Sequence, residues 1–283
     1  MMSTHEDEIL RWRENRVARL RGPDGWLAVV GLAWLQKGEN SVGSAPESRV
    51  LLPRGPGLLG GITVEGDAVV ATFEADAGVT HDGAPVTTLN LQDDLKGDPT
   101  LLRLGSLTFH VIRRGDRLAV RVKDAESPSR RSFTGIDYFS IDPRWRLQAR
   151  FEPYDPPRTA HVPTVVGLEE SYLVPGALAF EHDAVTYRIE AFLEGGETDL
   201  FIIFGDLTNR SETYGGGRYM YTRPPDDRGI VVLDFNKAYN PPCVFTPFAT
   251  CALPAPQNRL PIRVEAGEKL YRGPAVPPVV PRG

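Results

Sequence analysis

The chain has 283 residues, of which 32 are basic and 37 acidic, for a formal net charge of -5. This length leaves room for two cores of roughly 100 to 150 residues each, and the absence of any Lys and Arg cluster argues against a nucleic-acid partner. The longest strongly apolar run, residues 26–35, is about half of the roughly 20 residues a spanning helix needs. The first residues are polar and acidic, unlike a signal peptide, and two cysteines cannot build a disulfide framework. The expectation is a cytoplasmic protein with reduced thiols and no membrane partner.

The 25 prolines and 28 glycines are spread along the chain and punctuate short apolar segments, which predicts a mainly β protein. A helix opens it, within residues 1–24. Ser3-Thr-His-Glu6 reads as a capping box, Asp7 and Arg11 stand four apart, and Gly22-Pro23 supplies a stop. Ile9, Leu10, Trp12, Val17 and Leu20 share one broad face, as in a helix laid across a β domain.

Strand signals follow at residues 49–52, 68–73, 85–89, 106–112 and 117–122. Glycine or Asp-Gly stands at residues 65–67, 81–83 and 113–116, as tight hairpins require. Arg114-Gly115-Asp116, although it spells an integrin-type tripeptide, is read as one of those turns. Residues 25–127 are therefore expected to form a β-sandwich. Val42-Gly-Ser44, Val50-Leu-Leu-Pro53, Gly60-Gly-Ile, Val79-Thr-His-Asp-Gly and Leu104-Gly-Ser-Leu107 resemble in their order a forkhead-associated (FHA) sandwich. That family reads phosphothreonine through an arginine after the first glycine and a serine-arginine pair further on. Ser44 and residues 58–61 stand in those places here, so the resemblance implies an FHA-like scaffold without the phosphate site, able to offer a protein partner an edge.

Prolines 128, 143, 153, 156 and 157 mark a boundary near residues 127–131, expected as an exposed polar link. A second antiparallel β barrel or sandwich is predicted over residues 128–272, with strands at 145–151, 185–192, 200–204 and 229–234 and hairpins at 183–184 and 193–197. The proline-rich tail, 273–283, is expected to be extended and loose.

Motifs along the whole chain, Gly25-Trp-Leu, Arg121-Val-Lys-Asp124, Thr213-Tyr-Gly, Gly217-Arg-Tyr, Asp234-Phe-Asn-Lys-Ala-Tyr-Asn-Pro-Pro-Cys243 and Asn258-Arg-Leu-Pro261, resemble the bacterial domain-of-unknown-function family 1684. The resemblance implies no activity, so function has to be read from the residues.

The densest chemistry lies between Asp206 and Pro261, where amides, phenols, carboxylates and both cysteines stand among glycines and prolines, a composition suited to a rigid polar pocket. Gly215 to Gly217 could present backbone amides, and Arg218 a guanidinium, to an anion, although a flexible bend leading into a strand is the favoured reading. Tyr219 and Tyr221 alternate along that strand and share a face. Asp206 and Asp234 each close an apolar strand, either to meet a ligand or to cap a turn. Cys243 is a candidate nucleophile whose base would have to come from elsewhere in the fold; the competing reading is a small buried side chain, and a bridge to Cys251 is sterically open, but the expected compartment argues against it. No metal spacing and no cofactor motif is present.

Two functions are consistent with this. In one, the second domain binds a small anionic organic molecule through Arg218, Tyr219, Tyr221, Asn236, Tyr239, Asn240 and Arg259, with hydrolysis by Cys243 or Asp234 as an extension. In the other, the protein is a non-catalytic interaction or scaffold module using the FHA-like sandwich.

Overall fold

A computed structural model describes residues 4–273. The protein is mainly β, in two compact units. The N-terminal unit comprises Arg19–Phe133 with Phe245–Ala249; the C-terminal unit comprises residues 4–18, Thr134–Val244 and Thr250–Gly273. The predicted tail beyond Gly273 lies outside the described residues.

The strands of the N-terminal unit are β1 (Val29–Trp34), β2 (Gly38–Gly43), β3 (Val50–Leu51), β4 (Gly60–Glu65), β5 (Ala68–Phe73), β6 (Thr80–His81), β7 (Ala84–Pro85), β8 (Thr88–Asn90), β9 (Leu102–Leu104), β10 (Leu107–Arg114) and β11 (Arg117–Asp124). They form one sheet in the order β1-β11-β10-β9-β6-β7 and another in the order β3-β2-β4-β5-β8. Alternate residues of each strand point inward: Leu107, Phe109 and Val111 of β10 share a core with Val42, Ile62 and Ala71. The Arg114-Gly115-Asp116 tripeptide is the β10–β11 turn, with Gly115 at φ 59°.

Two expectations need correction. The strand predicted at 85–89 is two short strands in different sheets, because the chain crosses between them at Val86, which is buried in the core. The boundary segment is not an exposed link: Ser127 is fully buried, its hydroxyl donates to the Leu27 carbonyl at 2.6 Å, and it accepts from the Arg130 amide at the start of a short helix, Pro128–Ser132.

At the positions compared with the phosphate readers, the Ser44 hydroxyl donates to the carbonyls of Gly55 and Pro56 at 2.7 and 3.1 Å, while Leu58 is exposed. The two loops touch so closely that a Cβ on Gly43 would lie 2.0 Å from the Gly57 carbonyl oxygen. Backbone, unlike a flexible side chain, cannot step aside. Gly43→Ala is therefore expected to cost about 2 kcal/mol, the scale of overpacking a tight interior, read as a lower urea midpoint with an unchanged slope.

The C-terminal unit takes in helix α1 (His5–Arg21) as far as Ala18. Its cap is made one residue later than predicted: the Asp7 amide donates to the Thr4 hydroxyl at 3.1 Å and the Thr4 amide to the Asp7 carboxylate at 3.0 Å. Ser3 lies outside the described residues. Ile9 and Leu20 are buried as expected, but Leu10 is 45% exposed and Arg16 is 8% exposed. Positions 9, 16 and 20 follow the helical repeat, and Arg16 is tolerated inside because its guanidinium donates to Glu268 and to the Asn240 carbonyl, both at 2.9 Å.

The strands of this unit are β12 (Arg146–Pro163), β13 (Glu169–His182), β14 (Val185–Leu193), β15 (Leu200–Phe204), β16 (Arg218–Thr222) and β17 (Ile230–Asp234). They form one sheet in the order β16-β15-β14-β13-β12-β17, curled around Phe180, Ile189, Ile202, Phe204, Leu233 and Phe235. The curl brings its two end strands together, so that the Thr222 hydroxyl of β16 donates to the Val232 carbonyl of β17 at 2.7 Å. A side chain, rather than a ladder of backbone hydrogen bonds, bridges this seam.

Asp183 and Ala184, at φ 51° and 59°, make the predicted two-residue hairpin. Contrary to expectation β12 runs on through its prolines. Its register breaks between Pro153 and Arg158, and a bulge is where strand residues need no ladder N–H.

Candidate functional site

A groove of about 690 Å³ lies along the seam of the C-terminal sheet. From β16 come Tyr221 and Thr222, followed by Arg223 and Pro224; from β17 come Ile230, Val232 and Asp234; from β12 come Arg146 and Gln148. Glu8 and Trp12 of α1 and Lys237, just after β17, complete one side, with Asp199 and Asp226 adding acidic groups. The site exists because alternation turns Arg146 and Gln148 away from the core that Leu147 and Ala149 enter.

The charges of this groove are unevenly satisfied. Lys237 pairs with Glu8, whose carboxyl is held below its usual range chiefly by that hydrogen bond. Asp226 accepts from the amides of Arg228 and Ile230 at 2.9 and 2.8 Å, which makes it a turn residue. Asp234 receives His5 Nε2 at 2.7 Å and the amide and side-chain nitrogens of Asn236 at 3.2 and 3.0 Å. Arg146 stands 3.9 Å from that occupied carboxylate. Arg223 is exposed and has no ion-pair partner among the described residues.

An aromatic row runs behind one wall, and Tyr221 and Trp12 of it reach the groove. Phe201 and Tyr221 stack at 4.8 Å between centroids, Tyr221 and Tyr239 at 6.3 Å, and Tyr239 meets Trp12 at 6.5 Å. Arg16 lies over the Tyr239 ring at 4.5 Å. The Tyr221 hydroxyl donates to Glu194, and burial is the main cause pushing that phenol above its ordinary pKa, so it stays a neutral donor at physiological pH.

Of the residues singled out in the sequence, Tyr221 and Asp234 line this groove, and most of the others support it from inside. Arg218 is fully buried, with Nη2 donating to Asp206 and to the Val264 carbonyl, both at 2.8 Å, and Nη1 to the Ala266 carbonyl. It has no surface to offer a ligand. The same holds for Asn236, which binds the Asp142 backbone through both ends of its amide, and for Asn240, whose amide nitrogen and side chain hold Glu268 and the Lys269 carbonyl at 2.7 Å. Tyr219 shares the Phe201-facing side with Tyr221 as alternation predicts, but its hydroxyl donates to the Ala252 carbonyl at 2.7 Å in the interior.

Arg259 is exposed outside the groove, where its backbone bridges Gly205. The glycine run is a tight bend: Gly217 has φ 88°, and a Cβ on it would lie 2.6 Å from the Phe204 carbonyl oxygen. Asp206 caps a turn, accepting from the Thr208 amide and hydroxyl at 2.8 and 2.6 Å. Cys243 also lies off the groove, beside Cys251 and Tyr214.

Trp12, Arg146, Arg223 and Lys237 escape the sequence reading because each belongs to a different element, far apart in the chain. Arg146 and Arg223 carry only the local signal of an outward-facing cation on a strand or beside prolines, while Trp12 and Lys237 read as part of the helix face and of the 234–243 motif.

A protein-family profile described as "Protein of unknown function (DUF1684)" matches residues 131–269. Among solved structures, the solution NMR structure of an uncharacterized protein from Haloarcula marismortui is 33% identical over 50% of this chain and 80% of that one, with a TM-score of 0.43. A comparison with curated proteins finds no match.

Proposed function

Since the chain belongs, through residues 131–269, to the DUF1684 family of proteins of unknown function, which brings no reaction with it, we propose from the groove itself that the protein binds a small anionic organic molecule there. The observation that carries this reading is the pair of under-used guanidiniums, Arg146 and Arg223, lining one cleft with Trp12 and Tyr221. A planar guanidinium suits a carboxylate or phosphate, and its charge-assisted hydrogen bonds exceed neutral ones in strength. Trp12 and Tyr221 supply aromatic surface beside these cations. The acidic groups do not cancel this field, because Glu8 is taken by Lys237, Asp234 by His5 and Asp226 by its own turn; Asp199 supplies a site for a donor on the ligand.

Titration with benzoates and phenyl phosphate by isothermal calorimetry, alongside native mass spectra of the purified protein, tests the reading. Each of Arg146→Ala and Arg223→Ala is expected to weaken binding by roughly 10-fold or more, the worth of a hydrogen bond to a charged group. Equal affinity in the double variant and the parent would end it. Hydrolysis is a second reading, favoured by one contact: His5 Nε2 lies 2.7 Å from Asp234, which lines the groove, an oriented imidazole–carboxylate pair of the kind general-base chemistry uses. It moves the catalytic role from Cys243 to Asp234 and His5. Under it, His5→Gln abolishes turnover of an aryl ester while leaving benzoate affinity intact; parental turnover in that variant would refute it.

A further inference from the structure

We propose that Cys243 and Cys251 form a peroxide-oxidisable dithiol, in which Cys243 meets the oxidant and Cys251 resolves it into a disulfide. This stands apart from the groove and does not rest on it. Both cysteines are free thiols. The backbone amide of Cys243 donates to Cys251 Sγ at 3.1 Å, and that nitrogen is only two bonds from the Cys243 Cβ. One side-chain rotation of Cys243 therefore sets the distance between the two sulfurs.

The two thiols differ in access and surroundings. Cys243 is half-buried and its Sγ lies 3.6 Å from the Tyr214 hydroxyl, whereas Cys251 is 8% exposed. The Cys243 thiol is pulled below its ordinary pKa chiefly by the hydrogen bond from Cys251, with Tyr214 adding to it, while burial pushes Cys251 up. Burial likewise raises Tyr214, which keeps its proton and can donate it toward a Cys243 thiolate. A more exposed, hydrogen-bonded sulfur beside a buried thiol is the division of labour between a peroxide-reacting cysteine and its resolving partner.

The chemistry balances with a hydroperoxide as the named oxidant. The Cys243 thiolate attacks one peroxide oxygen; the S–O bond forms, the O–O bond breaks, and the departing oxygen leaves as hydroxide or alkoxide and takes a proton from water. Cys243 is then a sulfenic acid. The Cys251 sulfur attacks it, the S–S bond forms, and the hydroxyl departs with the Cys251 proton as water. Two thiols have lost two electrons to the peroxide, and an external dithiol restores them by exchange.

The full chain is treated with a small excess of hydrogen peroxide, quenched, denatured, alkylated and weighed intact. The expected result is a monomer that has lost both alkylation sites and recovers them with dithiothreitol. Cys251→Ser should stop at the sulfenic acid, captured on Cys243 by dimedone, and Cys243→Ser should leave Cys251 reduced. Tyr214→Phe should move the pH midpoint of Cys243 oxidation upward, a change that loss of packing alone would not produce. The proposal is overturned if both thiols remain alkylable under peroxide that fully oxidises free cysteine, if the bridge forms only between chains, or if Cys243→Ser loses its remaining thiol as fast as the parent loses its two.

Discussion

Replacing Arg218 by alanine is expected to destabilise the C-terminal unit by about 3–5 kcal/mol, the cost of removing one partner from a buried ion pair. The guanidinium and the Asp206 carboxylate are both completely removed from water as side chains and meet at 2.8 Å. Burial alone lowers the Arg218 pKa, and Asp206 is the largest opposing influence. Without Arg218, Asp206 Oδ2 loses the one partner seen for it, and the carbonyls of Val264 and Ala266 lose their donor. Asp206 Oδ1 keeps Thr208 and the Val264 amide, which holds the cost within that range rather than above it.

A double-mutant cycle separates this from the loss of volume. Arg218→Met keeps most of the packing, and adding Asp206→Asn removes the stranded charge, so the pair should be less destabilised than the sum of the single variants. Urea denaturation reads each value. An Arg218→Ala protein as stable as the parent would show that the pair contributes nothing. Affinity for a groove ligand should change far less than stability, because Arg218 points into the sheet core and not into the groove.

That contrast explains what the sequence could and could not disclose. Strands with alternating apolar residues, such as 107–114 and 185–193, the strand 200–204, apolar on both faces, and turns carried by Gly115, Asp82-Gly83 and Asp183-Ala184 are written in local chemistry. So was the concentration of polar chemistry after Asp206. The misreading lay in the direction those side chains face. Arg218, Asn236 and Asn240 are rich in hydrogen-bonding groups, and a loop-rich segment that must enter the interior needs such groups to satisfy its own carbonyls and amides. A polar residue among glycines and prolines can therefore mark a braced loop as readily as a ligand site, and only burial tells them apart.

The groove was illegible for the opposite reason. Arg146, Arg223, Trp12 and Lys237 come together only because the sheet curls until β16 and β17 meet across Thr222 and Val232, a long-range event with no local motif. β13 was missed because Pro175 and Gly176 interrupt it. The strand tolerates them at a bulge, where a Cβ on Gly176 would strike the Glu152 carbonyl at 2.4 Å. The FHA-like pattern of the N-terminal half is a spacing of turns, and spacing alone cannot place a binding residue.

Acidification from pH 7 to pH 4 is expected to cost the N-terminal unit about 3 kcal/mol through His110 alone. His110 sits on β10 opposite Arg121 of β11, is 6% exposed, and its Nδ1 has no hydrogen-bond partner. Burial is the first cause lowering its pKa from the ordinary 6.5 to about 4, with Lys123, Arg121 and Arg114 pushing the same way and Asp94 opposing them. Between those two values the unfolded chain binds a proton that the folded chain refuses. Stability conferred by the neutral imidazole is thus complete above about pH 6.5 and is lost as pH falls toward 4. Other groups titrate in the same window, so the quantity to measure is the difference between the parent and His110→Leu in urea denaturation at each pH. The parent should lose about 3 kcal/mol more than the variant over this interval, because leucine has no proton to take up on unfolding. Parallel losses in both proteins would mean that His110 is protonated in the folded state, with the cations beside it compensated by acidic neighbours.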